Sequence, residues 1–131
     1  MRLRDLDAEF VGRWRLESGR EVYSRIGEQL EGAQGVSFQC PKCALGKEPG
    51  QEGGRRFVRG AHYVLCWFTN PRNATPVPDH ATPVPGRWTV GDSCTGLDDL
   101  TFTGPAAASV LLSGPGCGWH GFIRNGEATL S

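Results

Sequence analysis

Four residues have types and spacing that suit metal chemistry: Cys40 and Cys43 in CPKC, and Cys117 and His120 in CGWH. Side chains at i and i+3 on a tight turn can share one ion. Two such turns complete a tetrahedron, with Zn–S about 2.3 Å and Zn–N about 2.0 Å. Glycines at 116, 118 and 121 permit the sharp backbone that the second turn needs. Three thiolates and one imidazole favour zinc. An iron centre with two histidines on one iron would require a His in each turn, and CPKC has none. The expected cofactor is one structural zinc ion held by Cys40, Cys43, Cys117 and His120.

Four protein ligands leave no place for water, which is the mark of a structural rather than a catalytic site. The deaminase pairing of H-x-E with P-C-x-x-C is absent, because the three histidines are followed by Tyr-Val, Ala-Thr and Gly-Phe. No HExxH occurs either. No catalytic residue is therefore assigned, and zinc-dependent hydrolysis would require displacement of a ligand. The 73 residues between Cys43 and Cys117 are no obstacle, since closure cost grows only logarithmically with length. Such a site would tie the front of the chain to its end, with a binding free energy on the order of 10–16 kcal/mol.

The remaining reactive side chains have plainer readings. Cys66 alternates inside an apolar strand and reads as a core thiol. Cys94 lies in the loop GDSCTG, where exposure would allow reactivity. His62 flanks the apolar strand as a half-buried, hydrogen-bonded residue, with a ligand or base role as its second reading. His80 is expected in solvent. Asp98 and Asp99 are neighbours ahead of a strand, so their carboxylates point to opposite faces and do not share a site.

The elements that must position these groups are short. The chain has 131 residues, 38% of them hydrophobic, with 19 Gly and 9 Pro, so many turns and short strands are expected around one modest core. Residues 9–16 alternate as a strand, with a return strand through Glu21-Val22-Tyr23. Ser24 is positioned to cap a short helix through RIGEQLEGA, whose Ile26 and Leu30 sit four apart. Residues 44–56 read as an exposed, mobile Gly-rich loop. AHYVLCWF, residues 61–68, reads as a central strand covered on both faces.

Residues 70–86 repeat ATPVP at a spacing of seven and read as a stiff, partly polyproline-like surface loop grown by duplication, with a partner-docking loop as the second reading. RWTV, DLTF and SVLLS supply further strands. Asn125-Gly126 predicts a type I′ hairpin turn between Phe122-Ile123 and Ala128-Leu130. The expected fold is α+β, mainly β: one zinc-stapled antiparallel domain over 1–131, with one short helix and long Gly/Pro-rich loops at 44–56 and 70–86.

The formal net charge is zero, so no global basic field attracts nucleic acid. No stretch approaches the ~18 apolar residues of a membrane span, and MRLRDLDAEF is neither a secretory nor a lipid-anchor signal. The expected compartment is a bacterial cytoplasm with no membrane partner, where five Cys point to thiols or ligands before disulfides.

Together, GVSFQCPKC, HYVLCWF, GRWTVGDSCTGLDDLTF and CGWHGFIRNGE resemble an uncharacterised family of small zinc-binding proteins encoded by bacteriophages and prophages. Related domains of the wider family occur beside bacterial ubiquitin-like conjugation genes. The resemblance covers about residues 24–130 and implies the same four ligands. It departs after DLTF, where TGPAAASVLL replaces the family's Thr-Pro-Ser stretch.

The family carries no established activity. The leading expectation is a non-enzymatic accessory module that binds a host or phage macromolecule, nucleic acid being one candidate. Its surface is expected around Lys42, Arg55, Arg56, Trp119 and Arg124. The alternative is a protein that binds a nucleotide or second messenger and counters host defence, with Arg side chains gripping phosphate. Oligomeric state is not legible.

Overall fold

The computed structural model describes residues 1–15, 17–72, 87–103, 110–111 and 118–130. It is mainly β. Six strands form the principal sheet: β1 (Glu9–Arg15), β2 (Glu21–Gly27), β3 (Gly35–Gln39), β6 (Tyr63–Thr69), β7 (Arg87–Val90) and β8 (Phe102–Thr103), ordered β2-β1-β3-β6-β7-β8. Among the described residues there are also three two-stranded ribbons. They are β4 (Gly50–Glu52) with β5 (Arg55–Phe57), β9 (Val110–Leu111) with β10 (His120–Gly121), and β11 (Ile123–Arg124) with β12 (Glu127–Ala128). A 3-10 turn at Leu3–Leu6 and α1 (Pro41–Ala44) are the helical pieces among the described residues.

Alternation explains β6. Val64, Cys66 and Phe68 point into the core, while Trp67 is buried on the opposite face and Tyr63 is half exposed. The strand is central, between β3 and β7, but its second face is only partly covered. Phe10, Phe68, Phe102 and Trp88 form a chain of ring contacts through the core, with Phe10 set edge-on to Phe68 at 6.2 Å.

One pairing departs from the expected antiparallel sheet: β6 and β7 are parallel, with Trp67 opposite Arg87. Parallel neighbours need a long crossover, because the chain must return to the same end of the sheet. Residues 70–86 supply that connection. The length of the ATPVP stretch thus has a topological reason; residues 73–86 themselves lie outside the described part of the chain.

Two local expectations are corrected. No helix forms over RIGEQLEGA; β2 runs through Gly27, whose φ of +85° is incompatible with a right-handed helix, and Leu30 is buried from the turn that follows. Two apolar residues four apart were too few to define a helical face. The loop at 44–56 contains the β4–β5 hairpin, turning at Gly53-Gly54 with both φ positive. That is the geometry a two-residue hairpin turn demands. The Asn125-Gly126 turn forms as expected, with φ of +50° and +77° between the pairs Arg124–Glu127 and Ile123–Ala128.

Candidate metal centre

The centre grows from the β3–β6 pairing. These strands run antiparallel with Gly35 opposite Trp67 and Gln39 opposite Tyr63, so the next pair outward is Cys40 and His62. The Cys40 amide donates to the His62 carbonyl at 2.7 Å and extends the ladder by that step. Pro41, fixed near helical φ and lacking an amide hydrogen, then starts α1. One turn of helix brings Cys43 back beside Cys40, and the Ala44 amide donates to the Cys40 carbonyl at 3.1 Å.

The result is a three-donor group: one ligand atom each from Cys40, Cys43 and His62, all within 4.8 Å of one another. Two sulfurs on one tetrahedral zinc are about 3.8 Å apart, so the three atoms are close enough that they could hold a single ion. Burial is graded across the group. Cys40 is fully buried, Cys43 half-buried and His62 exposed, so the site sits at the surface with one side toward solvent.

Buried Gln39 fixes the base of this centre. Its side-chain amide donates to the carbonyls of Val58 (2.7 Å) and Ala61 (3.1 Å), and its oxygen accepts from the Val58 amide (2.7 Å). The excursion from residue 40 to residue 62 is therefore pinched shut at its root by side-chain and ladder bonds together.

Of the ligands expected from spacing, Cys40 and Cys43 are in this group. Cys117 lies outside the described residues. His120 is not one of the three; it is exposed on β10, with its ring 6.3 Å from that of Phe122. His62 entered the reading of the sequence only as a second option. Its signal was positional, because whichever residue precedes the strand pairing with VSFQ must lie opposite Cys40.

The expected binding surface is largely rearranged. Trp119 is fully buried: its ring meets Phe38 edge-on at 5.8 Å and its N–H donates to the Thr129 carbonyl at 3.0 Å. An indole this apolar gains more from the core than from solvent. Arg55 is tied to Asp7 through Nε at 2.9 Å and through one Nη, and Arg56 donates to Asp5 at 2.6 Å. Lys42 is exposed on α1 beside Leu45, itself 61% exposed, and the Arg124 guanidinium lies 4.2 Å from the Phe122 ring centroid.

Asp7 organises the other face of the same excursion. Its carboxylate is only 4% exposed and accepts from Arg55 and from the Tyr63 hydroxyl, with Arg25 at 3.7 Å. Burial alone would push this carboxyl up, but the bonds from Arg55 and Tyr63 and the two guanidinium charges outweigh it and hold it below the usual range. The Tyr63 hydroxyl is pushed up by burial and by its bond to Asp7.

The leftover thiols are inert by placement. Cys66 is fully buried, which pushes its thiol far up. Cys94, expected in an exposed loop, is 3% exposed, with its sulfur 3.4 Å from the Asp99 carbonyl. Asp98 pairs with Arg4, while the Asp99 carboxylate accepts from the Thr95 and Gly96 amides, so the two acids serve separate structural bonds. Among the described residues no helix is long and apolar enough to cross a membrane.

No protein-family model, no curated protein and no solved structure matches the chain.

Proposed function

We propose that this chain is a non-enzymatic binding module whose fold is completed by one structural zinc ion. The convergence of Cys40, Cys43 and His62 carries the reading. Thiolate and imidazole donors suit zinc, and none of the three is a carboxylate that would favour a harder ion. Cys117 is the proposed fourth ligand. Support comes from Trp119, two residues later, which is anchored against Phe38, two residues before Cys40. His120, whose spacing from Cys117 drew attention first, is the competitor of His62 for the remaining position.

With four protein ligands, zinc has no open position for water, so the centre holds structure and does no hydrolysis. The face it orders presents Lys42 and Leu45, and the proposed partner is a host or phage macromolecule in a bacterial cytoplasm, in keeping with the phage and prophage resemblance. Zinc would supply cross-linking only; Cys40, Cys43 and His62 would hold the root of the excursion.

The test is elemental analysis of purified protein with variants Cys40→Ser, His62→Ala and His120→Ala, and a cobalt-substituted sample for the coordination number. One zinc per chain is expected, lost in Cys40→Ser and His62→Ala and kept in His120→Ala. Loss in His120→Ala but not in His62→Ala would return the ligand set to the pair of spaced turns. Protein purified without metal, or a cobalt spectrum with coordinated water, would overturn the structural-zinc reading.

A further inference from the structure

The β4–β5 hairpin forms one wall of a cleft of about 400 Å³, lined by Asp7, Glu52, Gly53, Arg55, Phe57 and Tyr63. That volume falls in the range of about 300–1,000 Å³ typical of small-ligand sites. Two of its walls are aromatic. Tyr63 is 49% exposed, one of three large hydrophobic residues so placed among those described, and Phe57 is half-buried. Gly53, at φ +59°, lines the cleft with bare backbone, and no atom lies within 4 Å of where its Cβ would be.

The polar groups are built in place. Asp7 is buried, and its carboxylate fixes Arg55 through Nε and one Nη. A guanidinium carries five N–H donors, so several remain, and the side chain is still 55% exposed. The Arg25 guanidinium lies over the Tyr63 ring, 5.7 Å from its centroid, and donates to the Asp7 carbonyl at 2.7 Å. Tyr63 and Arg55 are thus both held by one buried carboxylate, which fixes their positions before any ligand arrives.

We infer that this cleft is a binding site for a planar purine base, with guanine the best fit. The base stacks on Tyr63 and Phe57, and the outward N–H groups of Arg55 donate to its paired acceptors, the O6 and N7 of guanine. Carboxylates at Asp7 and Glu52 offset the local positive charge, so the site selects the ring rather than phosphate. None of the cleft's lining residues belongs to the candidate metal group, which lies at the root of the excursion. The same base chemistry could arrive on a free nucleotide or on a single strand.

Isothermal titration calorimetry of the full chain with guanosine monophosphate, guanosine, adenosine monophosphate, inorganic phosphate and a short guanine-containing single-stranded DNA tests it. Both guanine mononucleoside forms should bind, adenine more weakly and phosphate not at all. Phe57→Ala and Arg55→Lys should each weaken guanosine monophosphate at least tenfold with metal content unchanged. Tighter binding of the strand would assign the base to nucleic acid, and tighter binding of the mononucleotide to a free metabolite. Absence of binding at millimolar guanosine monophosphate, equal binding of phosphate, or full affinity in Phe57→Ala would overturn the inference.

Discussion

Replacing Asp7 with Asn tests whether the excursion is held at its tip as well as at its root. Asp7 sits at φ +51°, a conformation that Asn tolerates at least as well, so the substitution adds no backbone strain. What changes is the side chain. The carboxylate accepts two bonds from Arg55 and one from Tyr63. Asn keeps one acceptor oxygen and turns an NH₂ toward donors. Hydrogen bonds to charged groups contribute roughly 1.5–3 kcal/mol each, but Arg55 is more than half exposed and water replaces much of what it loses.

A net loss of about 2 kcal/mol is therefore expected, or a fall in Tm of about 6–10 °C for a chain of this size. The surface pair Asp5–Arg56 is the internal control, since Asp5→Asn should cost no more than about 0.5 kcal/mol. pH supplies a second reading. A carboxyl whose pKa is lowered by folding stabilises the protein above its unfolded pKa, about 3.9, and that stabilisation disappears as pH falls through the folded value. The gap between wild type and Asp7→Asn should be constant above about pH 5 and close below pH 4. Urea unfolding followed by circular dichroism at pH 7 and pH 3 measures both. A gap under about 0.5 kcal/mol at pH 7, or one unchanged at pH 3, would refute the clasp.

Other expectations follow from burial and backbone geometry. Trp119→Ala, which empties a fully buried site against Phe38, should cost about 3–5 kcal/mol in denaturant unfolding, whereas a true surface residue would cost almost nothing. Gly126→Ala should cost at least about 2 kcal/mol, since its φ is +77° and a Cβ would lie 2.4 Å from the Asp98 carbonyl oxygen. In native protein, iodoacetamide followed by mass spectrometry should leave Cys66 and Cys94 unmodified, and a chelator should raise labelling at Cys43; labelling of Cys66 would contradict its burial.

Legibility in the sequence followed the range of the interaction. Asn125-Gly126 specifies its turn through two adjacent backbone conformations, so the hairpin could be read directly. Gly53-Gly54 carries the same information, but GQE and RRF around it lack apolar alternation, and the three residues of β4 are all exposed. Cys40 and Cys43 were legible because a single turn joins them. His62 was not, because its place opposite Cys40 depends on β3 pairing with β6 across 23 residues of intervening chain, and neither strand names its neighbour. Trp119 was misjudged for a related reason: proximity to a metal motif suggested a surface, while the partner that buries it, Phe38, lies in another part of the sequence.

The same long-range pairings change what a metal would do here. A clasp from Cys43 to Cys117 was expected to join the front of the chain to its end, but backbone bonds already join them. The Met1 amino group donates to the Ala128 carbonyl and the Ala128 amide to the Met1 carbonyl, both at 2.8 Å, and the Leu3 amide donates to Gly126 at 2.9 Å. Leu3, Leu6, Ile123 and Ala128 share one core behind these bonds. Cys40, Cys43 and His62 instead close the short excursion that carries the β4–β5 hairpin, a loop whose closure costs roughly 1 kcal/mol less than the longer one. The proposed metal would act first on the order of that excursion. The face carrying Lys42 and Leu45 adjoins that group. On the proposed reading, a chelator should therefore lower binding of the proposed partner at a concentration that leaves the circular-dichroism melt of the six-stranded sheet unchanged, and simultaneous loss of both would refute it.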